Sequence, residues 1–576
     1  MSLEWWKTNV IYHIYLPAFK DSNNDGIGDF QGLISVLDYF EELKVSTLLL
    51  SPFYPSPMKD NGYDITSFTD VDPMYGNMSD FDAFIKEAKE KNLNVIIDFV
   101  ANHTSDQHPW FLKSINREEP YTDFFIWVDA ENNPFEEGRL PPNNWLSVFG
   151  GSAWTWNEQR QQFYFHQFLP DQPDLNYRNH KVKSEMQKVL TFWLEKGVDG
   201  FRIDAASHLF EDARLLNEPL AKPRKANKDE YGYLNHIYTK GMPETFQLLK
   251  EWRQILDYYS NKTEKPKIMI VEGMEKVEDV VCYYGKRNEK IAEIPMNFQL
   301  YEVTSTSTGI DLQEIIDKWL KNMPMGKIPN FVLSSHDFPR VASRVGSILA
   351  SSLQIIMMLL PGIPICYYGD ELGMENGVIN PENMRDSFAL RTQPSNSRDP
   401  MRTPMQWNSG KNAGFSDFDI PWLPVNSNFK IQNVEVEKAD PFSVLQNFKK
   451  LVKLRRELSI LYGTFEYAIL DVDIFSFTRS IMGAKCFLIV VNMNQIPVTV
   501  NLTAKKSSLP EVARLLLTNP QYYAKTLRRR TDLFNDSGST SSENPSLIHP
   551  FDNHVMVPLN NLFLESYQGI VFSFQL

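Results

Sequence analysis

Three short apolar runs, far apart in the chain, each stop at a carboxylate, and this feature restricts the fold more than any other. Residues 198–203 lead into Asp204, residues 267–271 into Glu272, and residues 331–335 into His336-Asp337. An isolated charge is costly inside a buried strand but tolerable at its open end. Period-two alternation puts Arg202 and Asp204 on one side of their strand. A cation beside a carboxylate favours its ionised, nucleophilic form. The plainer reading is a structural Asp–Arg pair at a strand end. Three acids at the ends of three buried strands suit the mouth of a closed barrel and the two-carboxylate chemistry of glycosidic bonds.

The intervening sequence completes an alternation. Strands are expected over 9–15, 45–50, 94–99, 198–203, 267–271, 294–298, 331–335 and 363–367. Helical spacing marks 30–43, 79–91 (capped by Ser79), 182–196, 244–256, 311–319 and 345–360. Eight strands alternating with helical segments predict an α/β fold, a (β/α)8 TIM barrel. A doubly wound open sheet would need a glycine-rich phosphate loop after its first strand. Gly26-Ile27-Gly28-Asp29 is acidic and does not fit. Residues 104–178, rich in Pro, Asn, Trp and Phe, interrupt the rhythm as an irregular subdomain inserted after strand 3. From about 465 the pattern turns to short alternating runs, an antiparallel C-terminal β-sandwich domain, after a helix over 441–458. The expected division is 1–103 and 179–464 for the barrel, 104–178 for the insertion and 465–576 for the β domain. Arg528, Arg529 and Arg530 precede a Ser/Asn/Asp-rich stretch, 531–546, and read as solvated surface.

Composition narrows the partners. Among 576 residues, 72 acidic outnumber 58 basic ones, a formal charge of -14. That balance disfavours nucleic acid and anionic membranes. Cys282, Cys366 and Cys486 are too few for a disulfide scaffold. No signal peptide is visible at the N-terminus, so a cytoplasmic protein, or a secreted one already processed, is expected. Residues 355–365 are apolar but too short to span a bilayer. Sequons begin at Asn77, Asn102, Asn261, Asn501 and Asn535, and carry weight only in a secreted protein. A monomer or weak homo-oligomer is expected.

The first strand is followed by Asp21-Ser22-Asn23-Asn24-Asp25-Gly26-Ile27-Gly28-Asp29. Clustered oxygen donors with permissive glycines resemble a calcium loop, although no glutamate closes it as in an EF-hand. A polar Asx-rich turn is the alternative. Asn61-Gly62-Tyr63-Asp64 and Asn102-His103 follow the second and third strands, on the same side as the three acids.

Taken in order, these motifs resemble the alpha-amylase superfamily of glycoside hydrolases (family 13), especially its alpha-glucosidases and oligo-1,6-glucosidases, among them insect maltases and sucrose hydrolases. The resemblance runs from Trp5 almost to the C-terminus. It rests on Asp98-Phe99-Val100-Ala101-Asn102-His103, Gly200-Phe201-Arg202-Ile203-Asp204, Glu272, His336-Asp337, Arg402-Thr403-Pro404-Met405-Gln406-Trp407 and Asn412-Ala413-Gly414-Phe415-Ser416. It implies Asp204 as nucleophile, Glu272 as general acid/base and Asp337 as the third carboxylate. It implies that Asp64, Tyr63, His103, Arg202 and His336 line a glucose pocket, with Arg398 or Arg402, Arg398 favoured, meeting Asp64. Asp21, Asn23, Asp25, Asp29 and the Ile27 carbonyl would hold a structural Ca2+. Arg202 is expected to keep Asp204 ionised, while a less polar setting raises Glu272.

The implied reaction is retaining, exo-acting hydrolysis of the terminal alpha-glucosidic bond of a small oligosaccharide or disaccharide, sucrose or maltose. The alternative is a transglucosylase or sucrose isomerase using the same covalent intermediate; a non-catalytic binding relative is a third reading. Ser335 before His336, Leu16-Pro17-Ala18-Phe19, and Gly273-Met274 after the acid/base depart from the usual family residues. By the same resemblance, Ala205, where relatives acting on alpha-1,6 bonds carry Val, leans towards alpha-1,4 bonds or sucrose.

Overall fold

A computed structural model describes residues 4–130, 139–223, 226–286, 289–506, 508–523 and 555–575. Arg528–Arg530, the stretch 531–546 and the Asn535 sequon lie outside the described residues. Eight parallel strands form the centre: β1 (Ile11–Ile14), β2 (Thr47–Leu50), β3 (Asn94–Phe99), β4 (Gly200–Ile203), β5 (Ile268–Val271), β6 (Ile294–Pro295), β7 (Asn330–Val332) and β8 (Ile363–Tyr367). Their hydrogen-bonded order is β7-β8-β1-β2-β3-β4-β5-β6. The ring is therefore a nearly closed barrel whose seam lies between β6 and β7.

The seam has a local cause. β6 is only two residues long and ends in Pro295, which has no N–H to give to a ladder. Side chains close the gap instead. The Asn330 amide donates to the Pro295 carbonyl (2.6 Å), and its oxygen accepts from the Asn297 N–H (2.9 Å). The expected strand over 294–298 is cut short here.

Alternation fills the barrel. Ile11, Leu49, Ile96, Ile270, Ile294 and Val332 belong to one inner cluster, while Tyr12, Leu48, Val95, Phe201 and Met269 pack outward against the helices. Gly200 packs directly against the next strand, where a Cβ would come 2.4 Å from the Ile268 carbonyl oxygen. Two residues further along each strand, the same inward period carries His13, Asp98 and Arg202. Asp98 and Arg202 are register partners across β3 and β4.

The helices follow the apolar periodicity with different ends. Asn77, not Ser79, caps Met78–Glu90, in a capping box with Asp80. The helix expected over 30–43 is broken at Val36 into Phe30–Ser35 and Leu37–Leu43, and the one over 345–360 begins as Val341–Val345 before Ser347–Leu359. Between β3 and β4 lie a helix, Pro109–Ile115, and a three-stranded sheet of Trp127–Val128, Gln162–Phe165 and Trp154–Asn157. After β8, a six-stranded antiparallel sheet and a separate two-stranded sheet form the C-terminal β region. No helix among the described residues is long and apolar enough to cross a membrane.

Candidate active site

Arg202 is the hub of the barrel mouth. Its Nη1 lies 2.5 Å from Asp98 Oδ2 and 3.1 Å from Asp204 Oδ1, and its Nη2 lies 2.8 Å from Glu272 Oε1. The carboxylates that end β4 and β5 thus meet on one guanidinium. Burial opposes the Arg202 charge, but Asp98, Glu272, Tyr63 and Asp204 together hold it far above its usual range. Planar, delocalised and permanently charged, an arginine suits this bridging role better than a lysine.

Backbone strain aims the next contact. Ala205, directly after Asp204, is left-handed at φ 46°, ψ 36°. An alanine there is uncommon, and such conformations gather at functional sites. The turn points the Ala205 N–H at Glu272 Oε2, 3.2 Å away.

The expected low pKa of Asp204 needs correction. Burial pushes it well above the ordinary carboxylate range; Arg202 pulls it down, and Glu272, Asp98 and Asp337 push it up again. Sequence reasoning counted the one cation and missed the crowd of anions. Asp98, whose role it left open, is itself raised to about 6, first by burial.

Asp337 sits differently. Its Oδ1 is 2.9 Å from Arg402 Nη2 and 3.3 Å from Arg398 Nη1, and its Oδ2 is 3.1 Å from His336 Nε2. Burial raises it, but His336, Arg398 and Arg402 outweigh burial and hold it far below the usual range. His336 and Tyr63 stack at 5.6 Å with planes 5° apart, and His336 Nε2 lies 2.6 Å from the Tyr63 hydroxyl. That hydroxyl donates to Asp98 Oδ2 at 3.1 Å, so His336 carries its proton on Nε2. His336, Tyr63, Asp98 and Arg202 form one hydrogen-bonded chain, with Asp337 Oδ2 beside its His336 end. His103 lies 3.2 Å from the Tyr63 carbonyl oxygen and 3.0 Å from the Gln172 amide, its pKa lowered by burial to about 4.

The expected pairing of Arg398 with Asp64 does not form. Asp64 is fully buried and accepts from the Ser56 hydroxyl (2.9 Å) and from the N–H groups of Lys59 (2.8 Å) and Asp60 (3.0 Å). It holds its own loop and does not line the pocket. Arg398 Nη2 instead meets Asp60 (2.8 Å) and Asp386 (2.6 Å). Asp60 also accepts from Gln172, the amide beside His103. Asp60 opens the run Asp60-Asn61-Gly62-Tyr63-Asp64, and the signal that could have found it is that a loop needs one acid for its own N–H groups before another is free to face the pocket.

The loop expected to hold calcium is folded on itself. Asp21 accepts from the N–H groups of Asn23, Asn24 and Gly26 and from the Ser416 hydroxyl. Asp29 accepts from Ser22 and caps the helix starting at Phe30, and Asp25 accepts from the Ile27 N–H. As folded, these donors form Asx turns, with all acceptor sites of Asp21 engaged. Among the described residues, no three acids, histidines or cysteines gather to hold a metal.

Beyond the carboxylates, a groove of about 1070 Å³ borders the end of β5 through Met274 and Glu275, and a second of about 570 Å³ runs past Gly150, Phe388 and Arg391. Tyr231 lines both.

Comparisons with known proteins agree with this architecture. A family described as "Alpha amylase, catalytic domain" matches residues 13–463. Maltase 1 of Drosophila virilis is 43% identical over 501 residues, covering 86% of this chain and 79% of that protein. Among solved structures, the alpha-glucosyl transfer enzyme XgtA superposes with a TM-score of 0.82 at 29% identity, covering 99% of this chain and 100% of that one. Isomaltulose synthase from Klebsiella sp. LX3 gives 0.80 at 28% identity, covering 100% of each.

Proposed function

Since the chain belongs to the alpha-amylase family of glycoside hydrolases and transglycosylases, we propose that it cleaves terminal alpha-glucosidic bonds of small sugars through a covalent glucosyl-enzyme. The observation that carries this reading is the shared grip of Arg202 on Asp204 and Glu272. Two carboxylates on one guanidinium favour the short separation of a retaining enzyme, about 5–5.5 Å, over the wider gap an inverting enzyme needs for water.

Asp204 attacks the anomeric carbon as Glu272 delivers its proton to the departing oxygen. Glu272, now ionised, takes a proton from the incoming acceptor hydroxyl, which displaces Asp204 from the sugar. Two inversions give net retention. Asp337, kept ionised by two arginines and His336, holds sugar hydroxyls, with Asp60 and Arg398 walling the glucose end. Proximity of fixed charges in a buried site supplies most of the rate.

The acceptor divides two outcomes. The similarity to a maltase supports water, and hence an alpha-glucosidase acting on sucrose or maltose. The superposition on a glucosyl transfer enzyme and an isomaltulose synthase supports a sugar acceptor, and hence transglucosylation or sucrose isomerisation, which is the reading we favour testing first. The purified protein is given sucrose and maltose separately, and products are followed by NMR from the first minutes. Free glucose in equimolar yield with the leaving sugar establishes hydrolysis; isomeric disaccharides or longer sugars establish transfer. A first product of inverted anomeric configuration sinks both.

A structural calcium ion on residues 21–29 is a separate proposal. It requires Asp21 to exchange loop N–H groups for the cation.

A further inference from the structure

The loop that carries Asp337 lies on the lip of the β6/β7 seam, where no backbone ladder fixes it. Its ends are pinned by one side chain. Arg344 donates to the carbonyls of Leu333 (2.8 Å) and Pro339 (3.2 Å) on the loop, and to those of Tyr301 (3.1 Å) and Val303 (2.9 Å) across the seam. Phe338 packs on Tyr301, ring centres 4.4 Å apart. Near its start, the Ser334 hydroxyl accepts from the Val341 N–H at 2.9 Å.

Between these ends the backbone is held twice: Arg402 Nε donates to the His336 carbonyl at 2.9 Å, and one bond lies within the loop itself. The Asp337 N–H donates to the Ser335 hydroxyl at 3.2 Å, and Ser335 is only 5% exposed. This two-residue side-chain turn fixes the backbone from which the Asp337 carboxylate projects. We infer that Ser335 is a positioning residue, whose hydroxyl sets Asp337 against Arg398, Arg402 and His336. It touches no reacting atom, and its side chain also lies beside the Tyr301 phenol across the seam.

The inference rests on the proposed role of Asp337, so the test separates the two. Ser335→Ala and Ser335→Cys remove or weaken the acceptor, the latter with little change in volume; Ser335→Thr keeps it. With 4-nitrophenyl alpha-D-glucoside as probe, displacement of a positioned group lowers kcat by about tenfold or more for the Ala and Cys variants, with KM changed less than about threefold. The Thr variant stays within about threefold of the parent. The Cys variant keeps the parent melting temperature. The inference is overturned if Ser335→Ala retains parental kcat, or if Thr falls as far as Cys, since packing rather than the hydroxyl would then matter. If Asp337→Asn remains fully active, the role of Asp337 fails and Ser335 with it; an inactive Asp337→Asn beside a normal Ser335→Ala sinks the inference alone.

Discussion

Arg398 meets Asp60 at 2.8 Å, whereas Asp64, four residues further on, is enclosed by its own loop. Two acids of one short motif therefore do different work. Asp60→Asn should raise KM about tenfold or more while leaving the fold intact, because Asp386 still neutralises Arg398. Asp64→Asn should lower the melting temperature, because a neutral amide accepts less well from two N–H groups and a hydroxyl, and leave KM close to normal. Steady-state kinetics beside thermal melts check the pair; the reverse pattern would restore Asp64 to the pocket.

Asp204 is held above the usual carboxylate range by burial and by neighbouring acids. Its charged form is the reactive one, so kcat/KM should fall with acidification at a higher pH than an exposed aspartate would dictate. Asp98→Asn removes one repelling charge and leaves Arg202 freer to favour Asp204. The acid limb should then move to lower pH. An unmoved limb, measured as a pH profile of kcat/KM, means another group controls it.

Burial raises Asp370 to about 7 and Glu437 to about 8. Each binds its proton more tightly when folded than when unfolded, so folding stability falls as pH rises from the ordinary carboxylate range through these values. The melting temperature should be higher near pH 5 than near pH 8. Asp370→Asn, which carries no charge at either pH, should flatten the slope. A melting temperature that rises towards pH 8 in both proteins contradicts this assignment.

Ala205 occupies a left-handed conformation. Ala205→Gly should stabilise by roughly 1 kcal/mol, since glycine adopts that backbone without penalty. Ala205→Val should cost more than the glycine gains, because a β-branched residue resists positive φ. Chemical denaturation of the three proteins should give the stability order Gly, Ala, Val.

Calcium binding to residues 21–29 would reorganise Asp21 and tighten the loop. Adding calcium to chelator-treated protein should raise the melting temperature, and Asp21→Asn should abolish that rise. Identical melts with and without calcium retain the loop as a self-satisfied turn.

Much of this was legible because it depends on local rules. Short apolar runs located the strands, and acids at their ends located Asp204, Glu272 and Asp337 around one mouth. What escaped depends on relations between distant segments. Nothing near Asp204 announces that Asp98 shares its arginine. The partner of Arg398 was misassigned because both Asp60 and Asp64 lie in the right loop, and only the folded path decides which one turns inward. The length of β6 was overestimated because apolar character continues past Pro295, while the ladder does not.

The β6/β7 seam makes the ring, mechanically, a curved strip whose two free ends are buttoned together by side chains. Slow breathing should begin at that fastening, beneath Asp337, while the paired strands under Asp204 and Glu272 stay taut.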